Sequence, residues 1–145
     1  MPQQREKGTR TRWRLQGQEG VQAVEFALVL PIMLVLVFGI IDFGVLLYAK
    51  EVMANASREG ARQGIRFVTP VLTDTDIATI TKDTLANGNL DASKATVNVT
   101  GAGGGFGTNL TVNLQYAHNF FVISALIPGI PDQVTLQSTT VMSNE

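Results

Sequence analysis

The pattern of apolar and polar positions divides the chain into three stretches. From Phe26 to Ile41 there are sixteen consecutive residues without a charge. At 1.5 Å per residue they make about 24 Å of helix, and widening the segment to Val21–Leu47 gives about 40 Å, at the cost of enclosing Glu25 and Asp42. A hydrocarbon core is about 30 Å thick, so the pattern predicts a membrane-spanning helix with an acidic residue near each end. A buried helix of a soluble protein is the alternative, but a chain of 145 residues could hardly surround such a segment on all sides. Pro31 removes one backbone hydrogen bond inside the run and is expected to kink it, a defect that membrane helices tolerate.

Helical periodicity then continues through residues 51–66. Glu51, Asn55, Arg58, Glu59, Arg62, Gln63 and Arg66 share one face of a 100° wheel, and smaller or apolar residues fill the rest. Ala56, Gly60 and Gly64 fall at i, i+4 and i+8, a ridge of small residues that admits a close neighbour. That neighbour is either another helix or the chain's own sheet. The expected helix runs from 21 to 66 and is embedded in the membrane to about residue 48.

Residues 67–145 read as a small extracytoplasmic α+β domain. Asp74 to Ala86 is a short amphipathic helix with Ile77, Ile80 and Leu85 on its apolar stripe, Thr73 or Asp74 as cap, and Asn87-Gly88 as stop. Lys94–Thr100 and Asn109–Val122 alternate with the period of strands, and Val134–Met142 is a third strand rich in Thr. The fold class is therefore α+β: a long N-terminal helix continuing into one short helix and a three-stranded antiparallel sheet. The apolar run Phe120–Ile127 is too short to cross a bilayer and is expected to be core or a contact patch for a partner.

Charge adds a direction. Residues 1–20 carry Arg5, Lys7, Arg10, Arg12 and Arg14 against Glu6 and Glu19, whereas residues 67–145 are net acidic. Basic residues ahead of an apolar helix place the N-terminus in the cytoplasm. A cleavable secretory signal is a rival reading, but no small-x-small site follows the apolar run.

Chemistry enters mainly by exclusion. The net charge of −1 argues against a nucleic-acid binder held by bulk charge. With one histidine and no cysteine there are no disulfides, no thiolate metal site and no Cys nucleophile, and a Ser-His-Asp triad would have to run through His118 alone. No enzyme activity, cofactor or metal is expected. Residues 101–107 are rich in glycine but match neither phosphate-binding pattern, because Phe106 and Thr108 stand where glycine is required and no Lys follows; they read as a hairpin tip.

The segment Gly20-Val-Gln-Ala-Val-Glu25-Phe-Ala-Leu resembles a type IV prepilin cleavage site: a basic leader, a Gly, and Glu at the fifth position of the mature chain. Its continuation through Pro31, Phe38-Gly39-Ile40-Ile41-Asp42-Phe43-Gly44, Leu47-Tyr48-Ala49-Lys50 and Asn55-Ala56-Ser57-Arg58-Glu59-Gly60-Ala61-Arg62 resembles the TadE-like family, the minor pilins or pseudopilins of the tight-adherence (Flp-type) pilus system. The resemblance is strong over residues 20–64, faint over Val134–Met142 and absent over 67–120. It departs at Gln22, where family members often carry a small residue.

The resemblance implies a leader (residues 1–20) removed between Gly20 and Val21 by a prepilin peptidase, a type IV pilin-like fold, and a structural or assembly-priming role in a pilus. It implies membrane lipid, other pilin subunits and the pilus assembly machinery as partners, at the inner membrane and then at the cell surface. A carboxylate within a membrane helix costs roughly 2.5–3.5 kcal/mol at the bilayer centre and less near the interface. Glu25 is then expected to pair with the free amino group of a neighbour's Val21. The rival from another class is an uncleaved, single-pass membrane-anchored binding protein, in which Glu25 merely reaches the interface.

Overall fold

The computed structural model describes residues 16–66 and 69–144, and side chains from residue 20 onward. Arg5, Lys7, Arg10, Arg12 and Arg14, on which the expected basic leader and its orientation rest, lie outside the described residues. In chain order the elements are α1 (Gln16–Gly64), α2 (Asp74–Asn87), a 3-10 turn (Ala92–Lys94), β1 (Ala95–Thr100), β2 (Asn109–Asn119), α3 (Ile123–Leu126) and β3 (Gln133–Ser143). The strands form one antiparallel sheet in the order β1-β2-β3. The α+β layout expected from the pattern is the one observed.

The chain forms two compact units, Met1–Val37 and Phe38–Glu145. The described part of the first is helix throughout, and α1 runs through Pro31 without a break in assignment. Every residue from Gly20 to Leu34 is exposed, including Leu28 and Ile32 at 69% and 70%. A helix that is apolar on all sides has no water-facing stripe, and this one is long and apolar enough to cross a membrane.

The second unit holds the core. From Phe38 onward α1 buries one stripe: Asp42, Ala49, Met53, Ala56, Ser57, Gly60 and Ala61 recur at helical spacing. Met53, Ala56, Leu85, Ala95, Leu114 and Tyr116 form one cluster. Ala61, Ile77, Leu110 and Val112 form another. The small residues decide how closely the layers approach. A Cβ on Gly60 would collide with Thr81 Oγ1, and one on Gly64 would meet Ile77 and lie 2.5 Å from Leu110 Cδ2. The Ala56-Gly60-Gly64 ridge is thus filled by the chain's own α2 and β2.

Local chemistry explains the element ends. Thr73 caps α2 and Asp76 returns the bond, a full capping box. Hydrogen bonds from Thr73 hold the Asp76 carboxyl below its ordinary range. Ser57, under the sheet, donates to the Ala54 carbonyl; with its one proton used, it accepts from the hydroxyls of Ser138 and Thr140 at 3.0 and 2.9 Å. β2 alternates as its pattern required, with Leu110, Val112, Leu114, Tyr116 and His118 buried. The opposite face of the sheet carries neutral polar residues such as Thr96, Asn98, Gln115, Gln137 and Thr139. The connection over residues 101–108 joins β1 to β2, as a hairpin tip should. It includes glycines at φ +92°, +67° and +81°, and Asn144 pins it by donating to Gly104 O and Thr108 Oγ1.

Two boundaries differ. The first helix, expected over 21–66, runs from Gln16 to Gly64, so Gly20 lies inside it. Periodicity extended the second strand to Val122, but β2 ends at Asn119. Phe120 N still bonds Asp132 O, the amides of residues 121–123 then go to another acceptor, and a short helix that the pattern did not reveal follows.

Candidate functional site

Two sets of residues bear on function, the first on α1 and the second joining α1 to β2 and the connection that follows it. The first is the expected processing and assembly set. Gly20 lies in the first turns of α1, and a Cβ placed on it would meet nothing within 4 Å. Val21 is 64% exposed, and Glu25 is exposed one turn further on. Among the described residues no ion pair or hydrogen bond involves Glu25. The structure therefore places Gly20, Val21 and Glu25 in consecutive exposed turns of α1 just ahead of its apolar run, with Val21 and Glu25 on one face. Ala56, Gly60 and Gly64 belong instead to the packed core of the second unit.

The second set was not foreseen as a site. Asp42 is only 3% exposed, yet it stands in the apolar part of α1. Its carboxylate accepts three backbone hydrogen bonds: Oδ1 from Phe121 N at 3.1 Å, and Oδ2 from Val122 N at 3.1 Å and Ile123 N at 2.8 Å. These amides start α3, where no side chain supplies a conventional cap. A residue 79 to 81 positions away in sequence therefore does the capping. The favourable match of a carboxylate to helix-start amides offsets the cost of burying its charge. Only one signal could have found it: an acid amid apolar residues needs partners, though nothing in the spacing names them.

His118 lies beside this clamp. It is 7% exposed and packs edge-on against Phe120, with ring centroids 5.9 Å apart. Burial pushes its pKa below the ordinary 6.5, the Asp42 charge partly opposes this, and Lys94 adds to it. An open groove of about 410 Å³ runs past it, lined in part by Val45, Lys94, Tyr116 and Phe121. Among the described residues no group of three or more His, Cys, Asp or Glu converges on a point that would suit a metal ion.

The geometry defines a class: a small α+β unit whose first helix belongs to a segment apolar enough to span a membrane. Within that class, residues 20–62 are similar to the family model described as TadE-like protein. The matched segment contains Gly20, Glu25, Asp42 and Gly60. No curated protein matches the chain. No solved structure matches it either.

Proposed function

We propose that this chain is a minor pilin or pseudopilin, a structural or assembly-priming component of a tight-adherence (Flp-type) pilus, and that it catalyses no reaction. The family match associates it with that pilus system. The single observation that supports the finer reading is the exposure of Val21 and Glu25 on one face of α1, next to Gly20, in a helix whose next turns are apolar and exposed on every side.

In this reading a prepilin peptidase cuts between Gly20 and Val21. The new amino group on Val21 provides a positive partner for Glu25 of a neighbouring subunit as both helices leave lipid for a bundle. An ammonium or a carboxylate alone is costly in an apolar bundle, whereas the pair is tolerated and selects one axial register. The N-terminus is cytoplasmic before cleavage and the α+β unit lies outside the inner membrane. Partners are membrane lipid, other pilin subunits and the assembly machinery.

The test is the mass of the protein recovered from cells, with Glu25→Ala beside it. Cleavage should yield a chain beginning at Val21. Glu25→Ala should insert and be cleaved but fail to co-purify with other pilins. Retention of residues 1–20 in piliated cells would instead support an uncleaved membrane anchor.

A further inference from the structure

The connection from β2 to β3 is pinned beside α1 at residues 39–42. Asp42 accepts the amides of residues 121–123, and a Cβ on Gly39 would lie 3.6 Å from Ile123 Cδ1. At this level α1 still presents Ile40, Ile41 and Phe43 to its surroundings, 65%, 51% and 60% exposed. The connection does the same: Phe121 is 82% exposed and Leu126 37%. From Asn119 to Pro131 there is no charged residue.

We propose that this connection is a second membrane contact, lying in the outer interface of the bilayer that α1 crosses, with Phe121 among the lipid chains. The proposal rests on the membrane-spanning part of the function proposed above, and on neither cleavage nor pilus assembly. Two features favour lipid as the occupant. First, the exposed apolar side chains of the connection continue the exposed apolar surface of α1 at the level where its charge-free run ends. Second, most amides between Phe121 and Ile127 are taken by protein acceptors. Amides 121–123 are taken by Asp42, and those of Ala125, Leu126 and Ile127 by the carbonyls of Val122 and Ile123. In hydrocarbon each unsatisfied amide is costly, whereas in water it is not. A carboxylate spent on three consecutive amides leaves fewer backbone donors that need water, which suits a lipid environment. An aromatic ring at this depth matches the enrichment of aromatic side chains at membrane interfaces, although Phe121 lacks the polar tip of Trp or Tyr. Lys94, on the wall of the adjoining groove, places a cation near headgroup phosphates.

The experiment uses the full chain in phosphatidylethanolamine–phosphatidylglycerol vesicles with bromine atoms near the headgroup end of the acyl chains. Trp13→Phe removes the single native tryptophan. Reporters are then introduced singly as Ile40→Trp, Phe121→Trp and Phe106→Trp, the last on a side chain 84% exposed at the far end of the 11-residue β2, about 35 Å away. Bromines should quench the reporters at 40 and 121 alike, by roughly half, and leave that at 106 bright. Quenching at 40 with a bright, iodide-accessible reporter at 121 would overturn the lipid contact and leave the span intact. A reporter at 121 shielded from both iodide and bromine would also overturn it, and would assign the patch to protein. A bright reporter at 40 would overturn the span itself, and the proposal with it. Asp42→Asn in the Phe121→Trp background should weaken the quenching, since the amide keeps one acceptor of the two; undiminished quenching would overturn the role of Asp42 as the residue that positions the segment.

Discussion

The two parts of α1 are one secondary-structure element under two kinds of demand. Over residues 20–34 every position is exposed and most are large and apolar. From Phe38 to Gly64 the same helix buries a single stripe, and that stripe is built largely from small residues: Ala49, Ala56, Ser57, Gly60 and Ala61. In the first part the side chains pack against nothing in the chain and are apolar enough for a membrane span, so bulk and hydropathy are what matter. In the second they face a sheet and another helix, so shape matters more. Gly60 and Gly64 are retained although glycine costs a helix interior about 1 kcal/mol relative to Ala, because any Cβ there would strike Thr81, Ile77 or Leu110.

The comparison breaks most severely if the second part is removed. A fragment beginning at Arg66 should fail to fold cooperatively, because Met53, Ala56 and Ala61, which cover the sheet, are gone. A fragment beginning at Phe38 should melt cooperatively in detergent. Circular dichroism melts of the two check this, and a cooperative transition from the shorter fragment would show that α1 is dispensable to the core.

Point substitutions sharpen it. Met53→Ala should lower the stability of the second unit by about 2–5 kcal/mol, through lost burial and the cavity left behind. Leu28→Ala removes a comparable apolar group from a side chain 69% exposed, and should leave the urea midpoint of that unit unchanged. Equal effects would mean that the two parts are not energetically distinct. A smaller loss, about 1 kcal/mol, is expected of Thr73→Ala, which deletes the cap of α2 without touching α1.

The smallest effect is that of pH. His118 has its folded pKa pushed below 6.5 by burial, so the unfolded chain takes up the proton first. The contribution of the neutral imidazole is therefore fully present above 6.5 and is lost as pH falls below that value. The urea midpoint should decline between pH 7 and pH 5 in the native chain and decline less in His118→Gln.

Much of this molecule was legible along the chain. The charge-free run, the periodicity of residues 51–66 and the alternation in β2 each state their environment locally, since a helix or strand buries positions at a fixed spacing. Gly20, Val21 and Glu25, for which cleavage and assembly roles are proposed, lie on α1 next to the apolar run that the pattern marked.

What the sequence by itself determined, then, is the order and type of the long helix, α2 and the three strands, and that the first helix is long and apolar enough to span a membrane. Tertiary structure alone decided what the small residues of α1 pack against, since a ridge of Ala and Gly invites a neighbour without naming it. It also decided that the second strand stops at Asn119 and that Asp42 is buried. Both follow from one event, the capture of amides 121–123 by a carboxylate some eighty residues earlier. Backbone amides are alike at every residue, so no local pattern records which distant acceptor will take them; only the packed chain brings the two together.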